Sequence, residues 1–215
     1  MSIKEINIAG NKLLIYELDD IYDSVSGRAL TGSWTWDSAF YLSNWIATHR
    51  QTVQFTGKTV LELGAGTGLP GMTAARLGAK RVVLTDIDPL VPALRKSVEA
   101  NGLGERVWVS RLVWGSDELP SRLGELGEVD VVLLSDVFFD AAEMAGLGKT
   151  LRKVCGDGTK VWAATEVRES VGECLAELEE EGFRIVELPS QLGGESLDCF
   201  DNFVVFQLIP PKQTQ

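Results

Sequence analysis

The chain has 215 residues, 45% of them apolar and 24% charged, which suits one globular domain of roughly 100–200 residues with a small appendage. Its 20 Lys and Arg against 31 Asp and Glu leave a net charge of −11. That balance disfavours nucleic acid, whose phosphates demand cations, and an anionic membrane surface; it suits a basic partner or simply solubility.

In chain order, Ile3, Ile6 and Ile8, then Leu13, Ile15 and Glu17, flank the turn Ala9-Gly10-Asn11, a β-hairpin pattern. Residues 19–33 are polar and rich in Gly and Ser, a loop. Phe40, Leu42, Trp45 and Ile46 give 36–49 a helical period. Strands are then predicted over 59–63, 81–85, 106–113, 129–135 and 160–165, and helices over 70–77, 89–100, 141–154 and 170–181. Pro70 suits a first helical turn, and Gly78, Asn101-Gly102 and Gly182 serve as stops. Two strands close the chain, over 183–188 and 203–208, with no helix-sized pattern between them.

Strands and helices in this alternation predict right-handed crossovers. The fold class is therefore α/β, a doubly wound, mainly parallel sheet of seven strands, covered on both faces. Six strands run one way; the last pair, lacking a crossover helix, is read as antiparallel. Residues 1–50 are expected to be a hairpin-and-helix extension outside that sheet and 51–215 the α/β unit, within one compact domain. The tail from Pro210 to Gln215 is expected to fray.

Cys155, Cys174 and Cys199 lie far apart and form no CxxC pair, pointing to a reducing compartment. His49 is the sole histidine. It ends a helical stretch beside Arg50 and reads as a surface residue, so no metal site and no histidine-dependent triad is expected. The N-terminus MSIKEINIAG has no apolar core, and no run of 18 apolar residues occurs. The protein is expected in the cytoplasm, with the nucleus as the alternative, neither secreted nor membrane-spanning.

The sharpest feature is Val60-Leu61-Glu62-Leu63-Gly64-Ala65-Gly66-Thr67-Gly68, a glycine loop joining strand to helix. Such loops admit close approach of a ligand at the carboxyl edge of an open sheet. Gly66, Gly68 and Gly71 formally match the dinucleotide fingerprint. Glu62, however, stands just before the loop, where a carboxylate repels a pyrophosphate and attracts a cation. S-adenosylmethionine carries a sulfonium and an amino group and no phosphate, so charge favours it over NAD. A glycine turn without ligand is the bland alternative. Asp86 ends the next strand, where a carboxylate accepts the hydroxyls of a ribose; it could instead cap a helix, although Asp88 is nearer for that task. Trp114, past the third strand, suits an adenine ring or the core.

These residues resemble the first signature of the class I, seven-β-strand methyltransferases. Three further segments narrow the resemblance to the methyltransferase-like group of non-histone protein-lysine methyltransferases: Thr31-Gly32-Ser33-Trp34-Thr35-Trp36-Asp37-Ser38-Ala39, Val113-Trp114-Gly115, and Val131-Val132-Leu133-Leu134-Ser135-Asp136-Val137-Phe138-Phe139. Together they span roughly residues 30–185. The resemblance implies that Trp36, Gly64, Ala65, Gly66, Asp86, Trp114 and Ser135 hold S-adenosylmethionine, with Glu62 beside them. It implies that Asp136 and Phe139 receive a substrate lysine. Phe139 departs from the group's more usual Tyr, so no phenolic oxygen stands there. The hairpin and the C-terminal segment match nothing in the group, and substrate identity is expected to reside in them.

What the resemblance implies chemically is an in-line displacement in which the protein aligns and shields. Asp136 would hold the entering ammonium and orient the amine, within an apolar wall of Phe138 and Phe139; alternatively it caps the following helix. Trp36 would cover the cofactor, or pack as an ordinary helix aromatic. Glu166 and Arg168 shape the channel or pair with each other on the surface. The partner is a protein presenting a lysine, and the enzyme is expected to be a monomer. A small-molecule N- or O-methyltransferase, a non-catalytic scaffold and, more distantly, an NAD-dependent oxidoreductase are the alternatives.

Overall fold

The structure is a computed structural model that describes residues 1–19, 21–24, 27–49, 54–189 and 202–212. Arg50, Cys199, the connection through 190–201 that was expected to lack a helix, and the tail from 213 onward lie outside the described residues. Strands β1 (Ser2–Ile8) and β2 (Asn11–Glu17) pair antiparallel. Ala9 and Gly10 between them take φ of 47° and 82°, the doubly left-handed turn whose twist matches that of a hairpin. Helix α3 (Val91–Ala100) closes the open side of β2. Asn101 accepts from the Leu14 N–H at 2.9 Å and donates to the Leu14 carbonyl at 2.7 Å, and Ser97 Oγ accepts from the Tyr16 N–H at 2.9 Å. Backbone groups that would otherwise invite another strand are thereby paired.

The main sheet holds β3 (Thr59–Leu63), β4 (Arg81–Asp86), β5 (Val107–Arg111), β6 (Val131–Ser135), β7 (Lys160–Glu166), β8 (Arg184–Leu188) and β9 (Phe203–Ile209). Their order is β5-β4-β3-β6-β7-β9-β8, with β9 antiparallel to both its neighbours. Six strands thus run one way and one the other, as expected. The antiparallel strand is inserted next to β7, which leaves β8 at the edge. The other helices are α1 (Asp37–Thr48), α2 (Leu69–Arg76), the single turn α4 (Ser121–Gly124), α5 (Met144–Val154) and α6 (Glu169–Glu180). Helix α3 begins two residues later than the position of Pro89 suggests, because Pro92 is its first-turn proline.

Apolar runs in the strands divide their side chains between two layers, the period of two expected of a sheet buried on both faces. Val60, Val82, Leu84, Leu133, Trp162 and Ala164 share a core with α1, α2, α3 and the hairpin residues Ile6, Ile8, Leu13 and Ile15. Leu61, Val83, Val132, Leu134, Val161 and Ala163 face α5 and α6 on the other side. The hairpin lies outside the sheet yet inside its core. His49 is half-buried, its ring stacked on Trp45 at 4.9 Å and its Nδ1 2.9 Å from the Trp45 carbonyl, in place of the surface position expected.

From β3 the chain moves outward through β4 to β5, and from β6 it moves the opposite way. The reversal between β3 and β6 opens a crevice at their carboxyl ends, where such sheets bind ligands. The glycine loop leaves β3 there and Asp136 follows β6.

Candidate active site at the strand reversal

Gly64, Gly66 and Gly68 all take left-handed backbone, with φ of 62°, 52° and 79°. A Cβ on Gly64 would stand 2.8 Å from Trp114 Cζ2, and one on Gly66 would stand 2.9 Å from the Gly32 carbonyl oxygen. Conformation and space both exclude a side chain at these positions. The Ala65 N–H donates to the Thr85 carbonyl at 2.9 Å, and Gly68 opens α2.

Glu62 corrects the electrostatic reading. Its side chain is 0% exposed and lies beneath the loop, where Oε2 accepts from the Gly71 N–H at 2.8 Å. Its Oε1 is buried without a hydrogen-bond partner. Burial, against the Gly71 bond and with help from the nearby Asp86 charge, pushes its carboxyl up to about 8. At neutral pH it is therefore mainly a neutral acid that ties the loop to α2, and not an open carboxylate aimed at a cation.

Asp86 stands at the end of β4 with 9% exposure. Its two oxygens accept from the Gly66 N–H and the Ile87 N–H, each at 2.7 Å. Burial pushes its carboxyl up to about 6, although both N–H groups favour the ion. It caps no helix. Neither does the Asp88 side chain, which pairs with Arg111 at 3.0 Å while α3 starts without a side-chain cap.

The segment before α1 lies over this loop, held by residues that the sequence did not single out. Glu17, only 4% exposed at the end of the hairpin, accepts from the Thr35 N–H at 2.7 Å and pairs with Lys4 at 2.9 Å. Burial works against its charge, yet Lys4 and Thr35 hold its carboxyl below the usual range. The Thr35 and Thr67 hydroxyls meet at 3.1 Å, and Trp36 Nε1 donates to the Thr31 carbonyl at 2.9 Å. Trp36 itself is 36% exposed and caps α1.

On the far side of the crevice, Ser135 ends β6 half-buried. Asp136 follows in left-handed backbone, φ 54°, its N–H donating to the Ala164 carbonyl at 3.0 Å. Burial raises its carboxyl above the ordinary range; Arg168 offsets part of this. The Ser38 hydroxyl is near enough to help, though it makes no hydrogen bond of full geometry. The helical capping alternative falls to Asp140, which accepts from the Ala142 N–H at 3.0 Å. Phe138 is a second correction. It points into the core, 3% exposed against Phe206, and walls nothing in the crevice. Phe139 is 57% exposed and 6.3 Å from the half-buried Trp114. Glu166 and Arg168, paired at 2.7 Å, also reach Asp136: an Arg168 nitrogen lies 3.7 Å from its Oδ2. The crevice thus brings together Trp36, Gly64, Ala65, Gly66, Asp86, Trp114, Ser135, Asp136 and Phe139, with Glu62 underneath.

Residues 21–181 match the family described as lysine methyltransferase. Human histone-arginine methyltransferase METTL23 is 30% identical over 186 residues, 84% of this chain and 93% of that protein. Mouse protein N-lysine methyltransferase METTL21A is 35% identical over 136 residues, 62% of this chain and 60% of its own. Mouse EEF1A lysine methyltransferase 3 is 35% identical over 138 residues, 64% of this chain and 56% of its own. Against the last two, the chain spans little more than half of the relative. The solved glycopeptide N-methyltransferase MtfA with S-adenosylmethionine overlays with a TM-score of 0.61 at 15% identity, over 79% of this chain and 94% of that one, and so shares the fold. A match across most of its length places the chain in the lysine methyltransferase family, and it is an enzyme that takes its methyl group from S-adenosylmethionine.

Proposed function

We propose that this enzyme methylates the side-chain amine of a lysine in a non-histone protein, with Asp136 as the group that receives the amine. One observation carries the proposal: a half-buried carboxylate just after β6 at the strand reversal, linked through Arg168 to the Trp36 ring. The family match supports the reading.

The residues present fit the cofactor. Asp86 takes one N–H on each oxygen and keeps lone pairs for two ribose hydroxyls, since a carboxylate accepts about four hydrogen bonds. Gly64, Ala65 and Gly66 would pass close to the methionine portion. Trp114 and Ser135 would border the adenine, and Trp36 would cover the reacting end. Glu62 holds the loop from below. When bound, S-adenosylmethionine supplies a methyl group on a sulfonium.

Asp136 would attract the lysine ammonium into the crevice. The ammonium must lose a proton to water, because its ordinary pKa is near 10.4 and only the free amine has a lone pair to give. That pair forms the new N–C bond as the S–C bond breaks and its electrons stay on sulfur. Phe139 and Trp114 would form an apolar flank that disfavours the charged amine. A monomer working in the cytoplasm or nucleus completes the reading, which rests on composition and cysteine usage.

A second acceptor, arginine, is favoured by METTL23, the histone-arginine methyltransferase that this chain matches across 93% of its length. One experiment separates the readings. The enzyme is incubated with radiolabelled S-adenosylmethionine and a cell extract, and labelled protein is hydrolysed to amino acids. Methyl-lysine is the expected product. Methyl-arginine would transfer the site to the second reading, and label confined to small molecules or absent would overturn both.

A further inference from the structure

Arg168 occupies the place in the crevice where a cation would sit. It follows β7 and caps α6. Its Nη2 is 2.7 Å and its Nε 2.8 Å from Glu166 Oε2, and Nη2 is also 3.7 Å from Asp136 Oδ2. Its guanidinium carbon stands 5.7 Å from the centre of the Trp36 ring, within the reach of a cation–π contact. One side chain therefore joins the covering segment, the acceptor carboxylate and the end of β7.

We propose that Arg168 is a positioning residue that holds the cation seat on Asp136, so that a substrate amine meets a partly neutralised carboxylate and is kept as the free base. This rests on the reading of Asp136 as the amine acceptor. The charged groups acting on Asp136 are Arg168, Glu166 and Asp37. Without Arg168, three carboxylates would face one incoming ammonium and stabilise its unreactive charged form. With it, a like charge beside the amine favours release of the proton. Glu166 holds the same guanidinium nitrogen at 2.7 Å, more tightly than Asp136 does at 3.7 Å, so Arg168 keeps a partner when it yields the Asp136 carboxylate. Two nitrogens of the planar guanidinium meet the one Glu166 oxygen and so fix its orientation.

The test uses the full chain and, as substrate, the protein that the wild-type enzyme labels most strongly in the cell extract, purified. Arg168→Gln should lower KM for that protein several-fold and move the acid limb of the kcat profile upward by about one pH unit, a tenfold change in the ionisation that limits the reaction. Arg168→Lys keeps the charge and should keep the wild-type profile. Glu166→Gln releases Arg168 onto Asp136 and should raise KM. A lower kcat with an unmoved pH profile would show that Arg168 is merely structural, and a higher KM in Arg168→Gln would show that it grips the substrate; either overturns the proposal. If the wild-type enzyme labels no protein, the acceptor reading itself fails, which the variants are not needed to show.

Discussion

Glu62→Gln tests whether the acid under the glycine loop is neutral. The carboxamide keeps the shape and can still accept from the Gly71 N–H that Glu62 holds at 2.8 Å. A protonated Glu62 and a glutamine both place a neutral donor group under the loop, where Oε1 now has no partner. Their stabilities should therefore agree within about 1 kcal/mol at low pH, the net worth of one hydrogen bond. They should part as pH rises. The Glu62 carboxyl moves from 4.5 to about 8 on folding, so between those values the folded chain keeps a proton that the unfolded chain has released. Stability of the wild type must then fall across that interval by up to about 1.4 kcal/mol per pH unit and level off above it. From pH 5.5 to 7.5 the wild type should lose about 2.5 kcal/mol relative to the variant, the integral of that slope. Asp86, whose own carboxyl is raised, contributes a similar slope to both proteins and largely cancels. Urea unfolding at a series of pH values reads the difference directly, provided the m-values agree. Calorimetry on the same variant should find S-adenosylmethionine affinity reduced no more than about threefold, under 1 kcal/mol. A stability gap that stays flat with pH, joined to a large loss of affinity, would refute the argument. Glu62 would then be an ion in the fold, attracting a cation as its place in the sequence suggests.

Asp86→Ala should weaken S-adenosylmethionine by about 1–3 kcal/mol in calorimetry, the penalty of leaving two hydroxyls without a partner. Wild-type affinity should also fall as pH drops through about 6, where this buried carboxyl takes up its proton, and the variant should lack that dependence; NADH binding in place of S-adenosylmethionine would contradict the assignment. Asp136→Ala should leave cofactor affinity nearly unchanged and cut methyl transfer by 10²-fold or more, about 2.7 kcal/mol of transition-state stabilisation. Asp136→Asn should be milder, because Asn also tolerates the left-handed backbone at φ 54°; cofactor binding that falls in step with activity would assign Asp136 to the cofactor pocket or the fold.

The sheet and its direction were legible because the strands are short apolar runs, and because helical patterns follow most of them while none was read between the last two. Glycines 64, 66 and 68 were legible from the sequence too: three alternate positions that glycine occupies without strain. Asp86, marked by its place at the end of a strand, and Asp136, implied by the resemblance, both lie at the carboxyl ends of their strands beside the crevice. What spacing does not encode is the depth of a side chain. Phe138 and Phe139 are neighbours in sequence, yet one is 3% and the other 57% exposed, because the turn after β6 sends them to opposite sides. Glu62 likewise lies one pleat away from Leu61 and Leu63, which face α5 and α6. Its own position faces α2, and that puts the acid under Gly71 instead of in the open crevice.

The contacts that make the site a unit are long-range, and this explains why they escaped a reading that proceeds along the chain. Glu17 ends a hairpin but holds Thr35, and Thr35 meets Thr67. Arg168 follows the fifth strand of the sheet in chain order but touches Trp36 and Asp136. These links tie the segment before α1 to the hairpin, to the glycine loop and to the residues that follow β7. The hairpin therefore does more than extend the fold: through Glu17 it fixes the height at which the covering segment crosses Gly66. Because that segment approaches Gly66 to the limit set by a missing Cβ, a shift of the hairpin end would be felt at the loop directly. An acid at position 17 that is held in its charged form by Lys4 and Thr35 belongs, on this argument, to the support of the site, even though it lies outside the segments that carry the family resemblance.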